Sequence, residues 1–455
     1  MNHTIAAIST PAGSAGLGVV RLSGPDALTI AGRVFRPADP HKTPDKLAGY
    51  TAAYGRVFDA DGDVDECVLL CFCAPHSYTG EDVAELSCHG GRYILQKVLR
   101  ACLDAGATPA GPGEFTRRAF LNGKMDLTQA ESVMELIAAD GSLAAQTALA
   151  ARDGAVFRRL TAVKESLLSV AAQFGAYIDY PDEDIPDLSP ETLSATVDEA
   201  IGAMETLLAT FDAGRVLREG VDTAIVGSPN VGKSTLMNCL SGCQRSIVTA
   251  IAGTTRDVVE ETVRVGEVTL RLADTAGIRD TGDTVERVGV DLAKQRMNQA
   301  ALVLAVFDGS VPLSDEDKTL AESLKDRTAI AIVNKADKPL QADTVWLSTR
   351  FDRVVTLSAK EGEGVAALTA AVEEVTGVGR LDAAQPVLTT ERQRLCAATA
   401  LSCLEEAAGA LTAGLTLDAV SVSIDGAINA ILDLTGERAT EAVVDQVFAN
   451  FCVGK

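Results

Sequence analysis

A chain of 455 residues with 47% hydrophobic side chains has material for roughly two to four domains and more than one core. Its formal net charge of −23 argues against autonomous nucleic-acid binding, because neutralising phosphates needs surplus Lys and Arg. No run of about 18 apolar residues occurs, and the opening MNHTIAAISTPAGSAG lacks a basic start and a sustained apolar stretch. The expectation is a cytoplasmic chain without a signal peptide or stable membrane insertion.

Ten cysteines without a CxxC pair, beside only four histidines, give no metal-ligand pattern. Most of these thiols are expected to be small buried hydrophobes.

The first 120 residues read as an α+β unit, with strands expected at 4–9, 17–22, 50–58, 64–74 and 83–88 and helices at 26–34 and 92–105. His89-Gly90-Gly91 is either a loop closely approached by a ligand or a tight strand-to-helix turn, and composition favours the turn. Residues 115–121, then 128–174, become alanine-rich with apolar residues at three- and four-residue spacing, the start of a helical bundle. Three prolines and four carboxylates in 180–190 interrupt it as an acidic loop. Helix resumes over 191–215 and again over 389–412, 418–435 and 440–448. The expected domains are 1–120 (α+β), 121–215 (helical, first half), 216–378 (an inserted α/β nucleotide domain) and 379–455 (helical, second half).

The nucleotide domain is read from its loops. Apolar residues 221–226 predict a buried parallel strand, and 234–240 the first turns of a helix. Between them, Gly227-Ser228-Pro229-Asn230-Val231-Gly232-Lys233-Ser234 is a phosphate-cradling loop followed by Thr235. Its glycines let successive backbone N–H groups face an anion; Lys233 adds a point charge and Ser234 a magnesium ligand. Gly253-Thr254-Thr255-Arg256-Asp257 stands where a switch loop supplies a magnesium-coordinating threonine, here Thr255 rather than Thr254. Asp274-Thr275-Ala276-Gly277 offers a magnesium-shell carboxylate and a glycine N–H for the γ-phosphate.

Asn334-Lys335-Ala336-Asp337 follows strand 328–333, and its carboxylate can accept the two N–H donors of guanine that adenine lacks. A site built for such bonds discriminates by about 10⁴ to 10⁵, which selects GTP. Ser358-Ala359-Lys360 closes over the base. The residue after Asp-x-x-Gly is Ile278, which cannot hydrogen-bond an attacking water. Glu286 is the nearest carboxylate for that task, with Asp280, Asp283 and a purely structural role as alternatives.

With these loops the full chain resembles the bacterial tRNA modification GTPases of the MnmE (TrmE) family. The resemblance rests on GTTRD with DTAGIR, the inserted order, residues 80–91, residues 112–120 and the terminal Phe451-Cys452-Val453-Gly454-Lys455. It implies a multidomain fold: an N-terminal α+β domain that binds a tetrahydrofolate and dimerises, an all-α domain, and an inserted Ras-like P-loop domain. It implies a homodimer that joins an FAD-dependent partner subunit in a heterotetramer. Together they would transfer a one-carbon unit from methylene- or formyl-tetrahydrofolate to the wobble uridine of certain tRNAs, with the tRNA held largely through the partner.

Carried over residue by residue, potassium would be held by Asn230, Thr249, Ile251 (through its carbonyl) and Thr254, in a loop that also contains Ala250, Ala252 and Gly253. A cation placed there supplies charge as an arginine finger does elsewhere, roughly 10³ to 10⁵ in rate. Glu286 matches the water-positioning glutamate. Arg21, Glu85, Lys124 and Lys455 match the folate residues, though each serves equally as an ion-pair partner, and Cys452 matches a terminal cysteine near the chemistry or is a small buried residue. Ala250 stands where an acid is common and Val453 where isoleucine is; neither change removes a ligand atom. The competing class is a GTP-dependent switch or ribosome- or membrane-assembly factor without one-carbon chemistry, in which the N-terminal match and Cys452 have no purpose.

Overall fold

A computed structural model describes residues 3–11, 13–179, 190–243, 261–272, 300–449 and 451–455. It divides into two compact units, Met1–Met134 with Ile431–Lys455, and Glu135–Ala430.

The first unit contains strands β1 (Ile5–Ile8) and β2 (Ala15–Ser23), helix α1 (Ala27–Val34), strands β3 (Phe35–Pro37), β4 (Thr51–Asp59), β5 (Gly62–Phe72) and β6 (Val83–Gly90), helix α2 (Arg92–Asp104), strand β7 (Thr108–Pro109) and helix α3 (Glu114–Leu121). The strands make one sheet in the order β3-β4-β5-β6-β2-β1-β7. All its pairings are antiparallel except β1 with β7. Along β4 the residues Ala53, Gly55 and Val57 are buried and their neighbours are not, the alternation of a sheet covered on one face. Helices α1 and α2 supply the cover, α2 through Leu95, Val98 and Cys102 at helical spacing. His89 and Gly90 end β6 and Gly91 alone makes the strand-to-helix turn, since α2 starts at Arg92. Strands β3 and β7 had escaped the sequence reading, because two or three residues are too short to show a period.

Helix follows in α4 (Leu127–Ala138), α5 (Ser142–Arg152), α6 (Ala155–Asp179), α7 (Pro190–Leu208) and α8 (Phe211–Glu219). The helical stretch 128–174 is three helices, broken at Gly141 and at Gly154, whose φ of +86° no helix continues. The stretch 191–215 is likewise two. Thr210 breaks it, donating its hydroxyl to the Leu207 carbonyl (2.7 Å) and accepting from the Leu388 N–H (3.0 Å). A tertiary contact, invisible in local sequence, sets that boundary. The acidic segment 180–189 lies outside the described residues.

The second unit then builds a six-stranded sheet from β8 (Val221–Val226), β9 (Glu261–Val265), β10 (Val268–Leu272), β11 (Leu302–Asp308), β12 (Ala329–Asn334) and β13 (Arg353–Thr356), in the order β13-β12-β11-β8-β10-β9. Only β9 runs antiparallel. Helices α9 (Lys233–Cys243), α10 (Asp315–Ser323), α11 (Thr344–Ser348) and α12 (Val365–Val375) alternate with the strands. Residues Leu302, Leu304 and Val306 of β11 feed one core, and Val303, Ala305 and Phe307 another on the opposite face. A central strand buried on both sides reads as a continuous apolar run, as this one does.

Helices α13 (Glu391–Thr412), α14 (Leu417–Thr435) and α15 (Glu441–Phe448) complete the chain. Thr390 and Gln393 form a capping box that starts α13, which packs along α7 and buries small residues such as Ala397, Ala400 and Ala407. No described helix is long and apolar enough to cross a membrane.

Candidate nucleotide site and the terminal-segment site

Open parallel sheets place ligands outside the carboxyl ends of their strands. The loops after β8, β12 and β13 lie at those ends here. Following β8, the loop 227–232 runs through Gly227 (φ +149°), Asn230 (φ +63°) and Gly232 (φ +100°). A Cβ on Gly227 would stand 2.2 Å from the Val306 carbonyl oxygen, and one on Gly232 would stand 2.2 Å from Asn334 Nδ2. Only glycine fits at either place. These left-handed turns curl the backbone so that consecutive N–H groups can converge on an anion, ahead of the first turn of α9.

Lys233 opens α9, and its ammonium donates to the carbonyls of Gly227 (2.7 Å) and Ser228 (2.9 Å). Burial pushes its pKa below the ordinary lysine value, so the charge stands in a poorly solvated place that favours an anionic partner. Ser234 and Thr235 follow on the exposed first turn, and Val231 is buried beneath the loop. The cradle and the tethered ammonium fit a bound polyphosphate, and Ser234 would be a magnesium ligand.

The loop after β12 is tied to this cradle. Asn334, which is 3% exposed, donates from Nδ2 to the Val231 carbonyl (2.9 Å) and accepts at Oδ1 from the Ala359 N–H (3.0 Å). One side chain thus joins the loops after β8, β12 and β13. Lys335, itself at φ +67°, donates to the Asn230 carbonyl (2.9 Å) and to Asp308 Oδ2 (2.6 Å). Asp337 is left at the rim with one carboxylate oxygen accepting from the Ser358 hydroxyl (2.8 Å). That bond holds its carboxyl below the usual range, keeping it an acceptor. Ala336 is fixed by its N–H to the Leu357 carbonyl (3.1 Å), while Lys360 is exposed and paired with Glu361. The predicted base loop and phosphate loop therefore meet.

Thr249, Ala250, Ile251, Ala252, Gly253, Thr254, Thr255, Asp274, Thr275, Ala276, Gly277 and Glu286 lie outside the described residues, as do Ile278, Asp280 and Asp283.

Sequence reading missed Asp308, which accepts from Ser310 and from Lys335, and Asp317, whose Oδ1 accepts the Ser228 hydroxyl (2.7 Å). Burial alone would raise the Asp308 pKa, but the hydrogen bonds from Lys335 and Ser310 bring it below the ordinary value. Its signal was the acid that ends the apolar run LVLAVFD; for Asp317 it was the Ser-x-x-Asp spacing from Ser314.

In the first unit, Arg21 on β2 stands opposite Glu85 on β6, and their side chains pair at 2.8 Å. The Arg21 guanidinium also lies 5.6 Å from the Phe115 ring centroid and 5.9 Å from that of Tyr78, and donates to the Gly454 carbonyl (3.4 Å). The terminal segment reaches it because Phe451 packs on Phe448 and Val453 bridges to Pro112. Gly454, at φ +99°, fits where a Cβ would meet the Ile8 carbonyl oxygen at 2.5 Å. Lys455 receives the Phe115 N–H at its carbonyl (3.2 Å). Lys124 donates to the Pro75 carbonyl (3.0 Å) and lies against Gly80. Arg21, Glu85 and the end of the chain are thus gathered, a mixed acid–base edge flanked by aromatics that suits a flat heterocycle with a polar rim.

Cys452 in this segment is exposed, not the small buried residue of the alternative reading. Cys67, Cys71, Cys88 and Cys102 are buried, with pKa values pushed up to about 12, 12, 11 and 12 chiefly by burial. Cys73, Cys239, Cys396 and Cys403 are only half-buried, so the expected burial holds for part of the set.

The parallel sheet, the glycine loop ending in Lys-Ser and the Asn-Lys-x-Asp loop stitched to it define a guanine-nucleotide P-loop protein. The family model of the MnmE helical domain matches residues 127–452, and that of the GTP-binding protein TrmE N-terminus matches 4–124. The tRNA modification GTPase MnmE of Chloroflexus aurantiacus is 41% identical over all of both chains, as is that of Geobacter metallireducens. The Lactococcus lactis subsp. cremoris protein of the same name is 40% identical, over 99% of this chain and 98% of its own. The chain belongs to the family of tRNA modification GTPases MnmE. Among solved structures, an Aquifex aeolicus Era variant bound to GDP and aluminium fluoride is 26% identical, covering 40% of this chain and 66% of its own with a TM-score of 0.28. The G domain of the T. maritima FeoB iron transporter is 26% identical over 34% of this chain and 98% of its own, at a TM-score of 0.26.

Proposed function

We propose that the chain is a potassium-activated GTP hydrolase. As a homodimer and with an FAD-dependent partner subunit, it takes part in tetrahydrofolate-dependent modification of the wobble uridine of certain tRNAs, in the cytoplasm. The observation that carries the reading is Asn334, whose one amide ties the Val231 carbonyl of the phosphate loop to the Ala359 N–H of the base loop. That arrangement sets Asp337 and Lys233 on a single frame, one for a guanine edge and one for phosphates.

In this reading Lys233 and the loop N–H groups orient the phosphates. Ser234, Thr255 and Asp274 hold magnesium, which supplies charge neutralisation when bound. Asn230, Thr249, Ile251 and Thr254 hold potassium. Glu286 orients the water that Ile278 cannot.

Arg21, Glu85, Lys124 and Lys455 hold the folate. The pairing of Arg21 with Glu85 gives that site a donor and an acceptor of fixed orientation. The net charge of −23 favours tRNA contact largely through the partner.

Mass spectrometry of wobble uridines from a strain lacking this gene tests the reading. Loss of the carboxymethylaminomethyl or aminomethyl group, restored by the parent gene, supports it. Unchanged uridines leave a switch or assembly factor without one-carbon chemistry. Hydrolysis by the purified chain in potassium should exceed that in sodium at matched ionic strength; equal rates would remove the cation role.

A further inference from the structure

We propose that Asp317 is a positioning residue for the phosphate loop, acting through the hydroxyl of Ser228. The inference rests on reading 227–234 as that loop. Asp317 lies in the first turn of α10, at the third position after the cap Ser314. Its Oδ2 accepts from the Ser314 N–H (3.0 Å) and hydroxyl (2.8 Å), while its own N–H donates to Ser314 Oγ (3.1 Å). A capping box needs no more than that. Ordinarily the acid of such a box faces water on a surface turn. Here the residue is 7% exposed, and its second oxygen accepts the Ser228 hydroxyl at 2.7 Å, across 89 positions of sequence.

Ser228 is not a bystander in the loop. Its carbonyl is one of the two that hold the Lys233 ammonium, at 2.9 Å. The side chain of Ser228 is therefore anchored to a helix terminus while its backbone anchors the charge. A hydrogen bond to an ionised acceptor contributes more than a neutral one, and a buried carboxylate stripped of it loses more still. The cap holds the anchor, because Asp317 cannot rotate toward solvent without breaking the two bonds its Oδ2 accepts from Ser314, and the one from the Ser314 N–H does not need the hydroxyl. Nucleotide affinity should accordingly depend on residue 317, which reaches the phosphates only through Ser228.

Three single variants of the full chain and one double variant test this, read by binding of N-methylanthraniloyl-GDP and by kcat and KM for GTP. Ser228→Ala is expected to weaken nucleotide binding by about three- to tenfold, with kcat at saturation within about twofold, since the lost positioning serves ground and transition states alike. Asp317→Ala should give a similar loss. The double variant should be no worse than the poorer single, the non-additivity of two partners in one bond. Ser314→Ala removes the cap hydroxyl but leaves Asp317 facing Ser228. It should lower the melting temperature while holding affinity within twofold, which separates instability from mispositioning. Parental affinity in Ser228→Ala, additive losses in the double variant, or a loss in Ser314→Ala equal to that in Ser228→Ala would each overturn the proposal. If the parent chain bound no guanine nucleotide, the phosphate-loop reading itself would fall; if the parent binds and Ser228→Ala binds as well, only the positioning role does.

Discussion

Asn334 Nδ2 donates to the Val231 carbonyl at 2.9 Å, and the same nitrogen stands 2.2 Å from where a Cβ on Gly232 would lie. The contact explains two features of the sequence at once, a buried asparagine and an obligatory glycine 102 positions earlier. Asn334→Ala strands the Val231 carbonyl and the Ala359 N–H in a buried place, at about 1 to 3 kcal/mol for each group. The expected outcome is at least a tenfold loss of guanine-nucleotide affinity, measured by fluorescent GDP titration. Gly232→Ala should do worse, because its Cβ meets the Asn334 amide and its φ of +100° disfavours any side chain.

Asp337 projects its carboxylate at the rim, where among the described residues Ser358 is its side-chain donor, leaving acceptor capacity for a base. Asp337→Asn should shift preference from guanine toward xanthine nucleotides, because a donor would then face the acceptor at the purine 2-position. Competition of GDP and XDP for the variant measures it. Unchanged GTP affinity would take Asp337 out of the base contact.

Glu267, at the tip of the β9–β10 hairpin, accepts from the Ser142 hydroxyl and the Leu143 N–H (both 2.9 Å), and so caps helix α5 from another part of the second unit. Burial alone would raise its pKa; the bonds from Leu143 and Ser142 and the charge of Arg264 outweigh it and hold the carboxyl below the ordinary value. A lowered folded-state pKa means stability that is present above the unfolded value, about 4.3, and is lost as the pH falls through the folded value. Glu267→Gln should therefore lower the melting temperature at pH 7 and flatten its fall below about pH 4.3. A cap is worth about 1 kcal/mol, roughly 2 to 4 °C in a domain of this size. Parallel melting curves of parent and variant at neutral and acid pH would show whether the acid limb flattens.

The glycine loop, the Asn-Lys-x-Asp loop and the strands bearing them were legible because each is written in consecutive residues. What tied them together was not. Asn334 reads as part of a base motif, and nothing local says that its amide spans two loops. Asp308 ends β11 and Asp317 follows it, and they reach the cradle because parallel strands bring their ends together. The same limit governed the helices: the break at Thr210 depends on Leu388, 178 positions away. In the first unit, the pairing of Arg21 with Glu85 follows from the register of β2 against β6, strands that α1 and β3–β5 separate in sequence, and neither residue announces it.

Ile278 has no group to hold a nucleophile, and Glu286 is the residue proposed to orient the attacking water. A carboxylate that only orients water matters to the chemical step and little to ground-state binding. Glu286→Ala should thus lower kcat sharply at nearly unchanged GTP affinity. Glu286→Asp should fail as well, because withdrawing the carboxylate by one methylene moves it about an ångström, enough to cost roughly a hundredfold where positioning is the whole contribution. Nucleotide binding through Lys233, Asn334 and Asp337 should survive both changes, since the phosphate-loop and base-loop bonds tie those residues to one another's loops. Asp280 and Asp283 stand close enough in sequence to compete for the role. Single-turnover hydrolysis in potassium at saturating GTP decides among Glu286→Ala, Asp280→Ala and Asp283→Ala: loss in the first alone keeps the assignment, and a parental rate there, or the same loss from either aspartate variant, moves it.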